Sequence, residues 1–328
     1  MIKTLALALI LVVAVAPLAP VTAQWKPEIK FLKIGVSSAG GDWFRAGAKF
    51  STMIPAALPE VSASTVIGGG VVNVTRIGKG EAQMAFALTP YPEQGYKGES
   101  KHYPAPLKNV RLIASNLGRT VVVALIVLKD SPIKSLHDIK GKRIVTGDRG
   151  WGTTELAEAF MAAAGMPPDR FKADGGTISY TSITDRSKAL QDKNVDAIFI
   201  PAQVNYPELM AVQQAGGIRV IGFSSEVIDK ALATVPGLTK SPIPKGLYGG
   251  VVDRDLPSAG FLQQLIVDAG LSDELVYRLT KLWWERVKDI GAIAPTLSQA
   301  DVRIAMEHAT IPFHPGAVRY YKEVGVAR

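Results

Sequence analysis

Four stretches of this sequence mix small, polar and aromatic residues where an apolar run gives way to a helical pattern: residues 37–43, 68–73, 148–154 and 201–207. The first contains Ser37, Ser38, Gly41, Asp42 and Trp43, and the second Gly69, Gly70 and Asn73. The third contains Arg149, Trp151, Gly152, Thr153 and Thr154, and the fourth Gln203 and Asn205. Thr89 and Tyr91 follow a further apolar run in the same manner. Hydroxyls, side-chain amides and exposed backbone N–H groups of this kind hold ligands rather than break bonds. Helix N-termini carry unpaired N–H groups and a partial positive charge, so several of them meeting at one cleft would cradle a carboxylate or phosphate. The plainer reading is that the glycines only close tight turns; the fourfold recurrence of the pattern favours a ligand site. Arg149 would grip a carboxylate through two parallel hydrogen bonds, or else pair with Asp148 or face solvent. Trp43 and Trp151 are either stacking walls or core residues.

Patterns that make and break bonds are missing. No Gly-x-Gly-x-x-Gly follows the first strand, and there is no Walker A lysine and no Gly-x-Ser-x-Gly elbow. The chain has no cysteine, which excludes disulfides, thiolate metal sites and cysteine nucleophiles. His102, His137, His308 and His314 show no metal-ligand spacing. Tyr320 and Tyr321 adjoin His314, and paired tyrosines can bind ferric iron, but neighbours on a helix point to different faces. The expectation is a binding protein and not an enzyme, with no cofactor and no metal.

The elements that must position these loops alternate along the chain. Phe31–Val36, residues 61–67, Met84–Leu88, residues 142–146, 196–200 and 218–223 read as strands. Val121–Leu128 is an unbroken apolar run with four valines, which predicts a central strand buried on both faces. Helical spacing marks Trp43, Ala46, Phe50 and Ile54, and helices are predicted over residues 153–164 and 272–290. The alternation predicts an α/β protein with mainly parallel sheets covered on both faces. No internal repeat or low-complexity tract interrupts it.

Lys3, the apolar run 5–16 and small residues at Val21-Thr22-Ala23 read as an export leader over residues 1–23, cut near Ala23-Gln24. The run is too short to span a membrane. The expected protein is periplasmic and monomeric. Of its 328 residues, 37 are Lys or Arg and 29 Asp or Glu, a formal net charge of +8. The basic residues punctuate turns and form no stripe, so no nucleic-acid partner is expected, while the overall field favours anionic ligands.

The mature chain expected from near Gln24 resembles, over almost all of its length, the TAXI family of solute receptors, the extracytoplasmic binding proteins of TRAP transporters. The resemblance rests on Ser38-Ala39-Gly40-Gly41-Asp42-Trp43-Phe44, Gly68-Gly69-Gly70-Val71-Val72-Asn73, Gly80-Glu81-Ala82-Gln83-Met84-Ala85-Phe86, Ser135-Leu136-His137-Asp138-Ile139-Lys140-Gly141-Lys142-Arg143 and Gly150-Trp151-Gly152-Thr153-Thr154-Glu155. The ending Pro312-x-His314-Pro315-Gly316-Ala317-x-Arg319-Tyr320-Tyr321 is the most specific of these matches. The resemblance implies a type II periplasmic binding fold: two α/β lobes joined by two crossing strands, with the ligand enclosed between them on hinge closure. Lobe 1 would comprise residues 24–125 and 259–328, and lobe 2 residues 126–258. The implied ligand is a small organic anion, carboxylate or amino-acid-like, delivered to an ion-gradient-driven TRAP membrane permease. Alternatives are a receptor for an ABC transporter and a ligand sensor feeding a membrane kinase. Asp42, Trp43, Gly70, Thr89 and the Arg149–Trp151 loop depart from the family pattern where ligand contacts are expected, which implies a bulkier or more aromatic substrate than glutamate. On this reading His314 to Tyr321 pack and cap.

Overall fold

A computed structural model describes residues 25–327; the leader expected at residues 1–23 lies outside them. The chain first builds one α/β unit from β1 (Phe31–Val36), α1 (Asp42–Ala57), β2 (Ser62–Ile67), α2 (Gly70–Gly78), β3 (Met84–Leu88), α3 (Tyr91–Lys97) and β4 (Val110–Ala114). It then crosses into a second unit: β5 (Val121–Leu128), β6 (Arg143–Thr146), α4 (Gly152–Ala163), α5 (Pro168–Ala173), β7 (Thr177–Tyr180), α6 (Ile183–Gln191), β8 (Ala197–Pro201), α7 (Pro207–Gly216), β9 (Ile218–Ile221), α8 (Ser225–Thr234), β10 (Thr239–Lys240), the short irregular turn α9 (Leu247–Gly250) and β11 (Ala259–Phe261). It returns to the first unit with β12 (Gln263–Asp268), α10 (Asp273–Ile293) and α11 (Pro315–Glu323).

The first sheet has the order β2-β1-β3-β12-β4, and the second runs β10-β11-β5-β8-β6-β7 with β9 also paired to β5. This is the two-lobed architecture of a type II periplasmic binding fold. β1 pairs in parallel with β2 and β3, as β6 does with β7 and β8. The expectation of mainly parallel sheets needs correcting at one strand of the first lobe, β12, and at two of the second, β5 and β10. β12 is antiparallel to both β3 and β4, and β5 is antiparallel to β8, β9 and β11. β12 and β5 follow directly on a crossing, where the chain enters the new sheet from the opposite end, whereas β10 is a two-residue edge strand antiparallel to β11.

Seven of the eight β5 residues are buried, as its valine-rich run requires of a strand with neighbours on both sides and helices on both faces. The core of the first lobe centres on Trp283 of α10, which packs edge-on against Phe50 and Phe86 at 5.2 and 5.7 Å. Ser272 caps α10 by accepting the Leu275 N–H. At the C-terminal end, His314 caps α11: its Nδ1 accepts the Gly316 N–H at 3.2 Å while Nε2 lies 3.1 Å from the Leu271 carbonyl. Tyr321 donates to the Ile113 carbonyl at 2.6 Å and accepts from Trp284 Nε1 at 3.0 Å. The His314–Tyr321 motif thus pins the last helix to the first lobe. No described helix is long and apolar enough to cross a membrane.

Candidate functional site

The carboxyl ends of the strands face a cavity of about 70 Å³ between the lobes. Its wall on the first lobe begins in the β1–α1 loop, where the Gly41 N–H bonds back to the Ser38 carbonyl at 3.1 Å. That turn brings Ser37, Ser38 and the first residues of α1, Asp42 and Trp43, to the cavity surface, joined by Gly69 and Gly70 at the start of α2. On the second lobe the wall is formed by Trp151, Gly152 and Thr153 at the start of α4, and by Gln203 and Tyr206 after β8. The N-termini of α1, α2 and α4 all reach the cavity and none has a side-chain cap, so their first N–H groups remain available to a ligand.

Asp42 and Trp43 are held by their neighbours. The Asp42 carboxylate accepts Arg45 Nη2 at 2.6 Å through one oxygen and the Thr296 N–H at 2.6 Å through the other. Trp43 stacks on Phe86 at 5.5 Å and donates Nε1–H to Gln263 at 2.7 Å. Gln263 in turn donates to the Arg119 carbonyl at the crossing from β4 to β5 and to the Thr296 carbonyl after α10. Trp43 therefore contributes to both core and cavity, and it ties the cavity wall to the segment where the chain changes lobes.

The loop pattern misses several wall residues, Gln263 and Thr296 among them, and the only charged one it misses is Arg186. It lies on α6, is 1 % exposed and forms part of the cavity wall. Nε donates to the Ser182 carbonyl at 3.2 Å and Nη1 to the Phe199 carbonyl at 2.6 Å. Nη2 is buried without a partner, and among the described residues no carboxylate pairs with this guanidinium. Burial pulls its pKa down to about 10, so it is still charged at neutral pH. Three further cavity-wall atoms are buried and unpartnered: Ser38 Oγ, Gln203 Oε1 and Thr296 Oγ1. The sequence did hold a signal. Ile183, Arg186, Ser187 and Leu190 follow the i, i+3, i+4, i+7 spacing of an inward stripe, and all four are buried. An arginine in such a stripe calls for a buried partner.

Six residues of the loop pattern do other work. Asn73 donates to the Val36 and Phe86 carbonyls at 3.2 and 2.8 Å and fastens β1 to β3. Thr89 accepts the Leu262 N–H at 3.0 Å and donates to Gly237 at 3.2 Å, stitching the crossing to the second lobe. Tyr91 is buried edge-on against Phe261. Arg149 is exposed, with its guanidinium 4.0 Å above the Tyr180 ring, because the turn that aims Trp151 at the cavity directs its neighbour outward. Thr154 closes the loop internally by donating to the Asp148 carbonyl at 3.0 Å. Asn205 accepts the Tyr248 N–H at 2.7 Å on the exposed side of its loop.

A sequence model of the NMT1-like family matches residues 34–325. The structure is similar to that of the alkanesulfonate-binding protein SsuA from Xanthomonas axonopodis pv. citri bound to MOPS, at 15% identity and a TM-score of 0.49, covering 84% of this chain and 80% of that one. It is also similar to the periplasmic aliphatic sulphonate binding protein SsuA from Escherichia coli, at 15% identity and a TM-score of 0.44, covering 90% and 83%. A putative L-cystine ABC transporter protein from Listeria monocytogenes matches at 12% identity and a TM-score of 0.47, covering 83% and 99%.

Proposed function

Because the chain belongs to the NMT1-like family, we propose that it is a solute receptor that encloses a small organic anion between its lobes and passes it to a membrane transporter. One observation carries this reading: a buried, charged Arg186 on the cavity wall, with a free Nη2 and, among the described residues, no carboxylate bonded to it. A buried charge without a partner costs several kcal/mol, and an anion in the cavity supplies the missing partner. Ser38 Oγ, Thr296 Oγ1 and the uncapped N-termini of α1, α2 and α4 add donors on the other sides of the same anion. Binding rather than catalysis fits this wall, whose hydroxyls have no histidine or lysine beside them among the described residues.

The family match favours an ABC-type transporter as the partner over the ion-gradient TRAP permease that the TAXI resemblance implies. The TRAP reading keeps the support of the motifs it rests on, above all the Pro312 to Tyr321 ending. A receptor of either kind works as a monomer in the periplasm, exported by the segment over residues 1–23. Uptake by spheroplasts supplied with the purified protein separates the two partners. Import that survives collapse of the ion gradients while ATP lasts identifies an ABC transporter, and import that stops identifies a TRAP permease. The ligand class is tested by a thermal-shift screen over organic anions. A ligand at 100 times its dissociation constant adds about 2.7 kcal/mol of stability, and the shift should fall to about half of that or less in Arg186→Met.

A further inference from the structure

The charges in the cavity wall define the ligand more narrowly than "anion". Two charged groups line the cavity, Arg186 and Asp42. Both Asp42 oxygens are engaged, one by the Arg45 guanidinium and the other by the Thr296 N–H, so the negative charge is already cancelled inside the first lobe. Burial keeps the Tyr206 phenol neutral by pushing its pKa well above the ordinary value. What remains on the wall is a single positive charge with one free nitrogen, which Asp148, outside the wall, steadies only from a distance. The rest of the wall is largely apolar, with Trp43, Leu88, Val121, Trp151, Ile183 and Pro201 facing the space. The cavity of about 70 Å³ has room for about five water molecules, so the enclosed body is short.

We propose that the cleft selects a monoanionic organic acid with a short apolar body, and rejects both α-amino acids and dicarboxylates. The proposal rests on the anion-receptor reading above and deepens it. An α-ammonium group would enter this cavity with no carboxylate free to receive it, since Gln203 Oε1 and the hydroxyls can accept its hydrogens but cannot balance its charge. A second carboxylate would meet no second cation. A hydroxyl in place of the ammonium is accommodated, because Ser38, Gln203 and Thr296 each offer a buried atom without a partner.

Four probes on one carbon skeleton test this by calorimetric titration of the purified protein: 3-methylbutanoate, 2-hydroxy-3-methylbutanoate, L-valine and isopropylmalonate. The first two should bind at least about tenfold more tightly than the last two. A second arm uses Arg45→Gln, which removes the cation that cancels Asp42 without touching the cavity wall. In that variant the affinity of L-valine relative to 3-methylbutanoate should rise at least about tenfold. L-valine or isopropylmalonate binding as tightly as 3-methylbutanoate to the unaltered protein would overturn the selectivity and leave the anion site standing. A relative affinity unchanged by Arg45→Gln would overturn its assigned cause. Binding of none of the four at millimolar concentration would overturn the anion-receptor reading itself.

Discussion

Trp151 of the second lobe closes against Gly69 of the first: a methyl group on Gly69 would lie 2.9 Å from the indole Cγ, and closer still to Cδ1. Gly152 makes the same kind of approach, its absent Cβ falling 2.7 Å from Leu88 Cδ1 and 2.8 Å from Tyr91 Cε2. The two lobes therefore meet through glycines at the starts of α2 and α4, and the cavity is shut by an indole lying over bare backbone. Gly69 has an extended backbone, φ 173°, which any residue adopts, so the glycine is required by closeness and not by conformation.

Gly69→Ala should keep the lobes from closing fully while leaving each lobe folded. Overpacking by one methyl costs about 1–3 kcal/mol, here only in the closed state, so ligand affinity should fall by about tenfold or more. Small-angle scattering at saturating ligand should show a compact particle for the unaltered protein and a more open one for Gly69→Ala. Equal compaction in both would mean that the indole yields without cost.

Arg186→Met should separate function from stability. Replacing an unpaired buried charge with an apolar side chain of similar reach is often neutral or stabilising, so the melting temperature of the ligand-free protein should hold or rise. Charge-assisted hydrogen bonds contribute about 1.5–3 kcal/mol each, so anion affinity should drop at least about tenfold. Arg186→Lys should restore only part of it, because an ammonium cannot keep the bond to Phe199 and reach the ligand with the same fork. A ligand-free melting temperature that collapses in Arg186→Met would assign the residue to the core instead.

Arg149→Ala should leave anion affinity within about twofold, since its guanidinium stacks on Tyr180 outside the cavity. An exposed cation–π contact is worth about 0.5–1 kcal/mol, a loss visible in a urea midpoint and not in a binding isotherm. A tenfold loss of affinity would return Arg149 to the site.

Arg149 and Arg186 mark the limit of what the sequence made legible. The strand-end loops, the glycines, Trp43 and Trp151 stand out locally, because turn chemistry and apolar runs are properties of neighbouring residues. The lining role of Gln263 and Thr296 depends on segments far along the chain that join the wall only when β12 inserts antiparallel between β3 and β4. Asn73 and Thr89 have the residue types of ligand contacts, but their side chains face neighbouring backbone, and no local pattern reports that direction. Arg186 was legible in principle, as a charge in a buried helical stripe, but Arg149 lay in the loop where ligand chemistry was sought.

His314 sets a pH dependence on stability. Its Nδ1 accepts the Gly316 N–H, so Nε2 carries the proton toward the Leu271 carbonyl and the ring is neutral. Burial holds its pKa below the ordinary 6.5. The unfolded chain then binds the proton more readily than the folded one, and stability falls as pH drops below 6.5 toward the folded value. Other groups on the surrounding elements bear on it: Asp273, 3.8 Å away on α10, raises the pKa, and Arg111 on β4 lowers it. His314→Asn keeps a capping acceptor without the titration. Urea midpoints between about pH 5 and about pH 7 should therefore slope less in the variant; parallel slopes would place the titration elsewhere.

Whether Arg186 holds an organic anion between closed lobes is decided by calorimetric titration of 3-methylbutanoate into the unaltered protein and into Arg186→Met, with circular dichroism showing that both are folded. The first should bind one-to-one and the second at least about tenfold more weakly. Equal affinity in both proteins, or binding heat in neither, would contradict that role for Arg186.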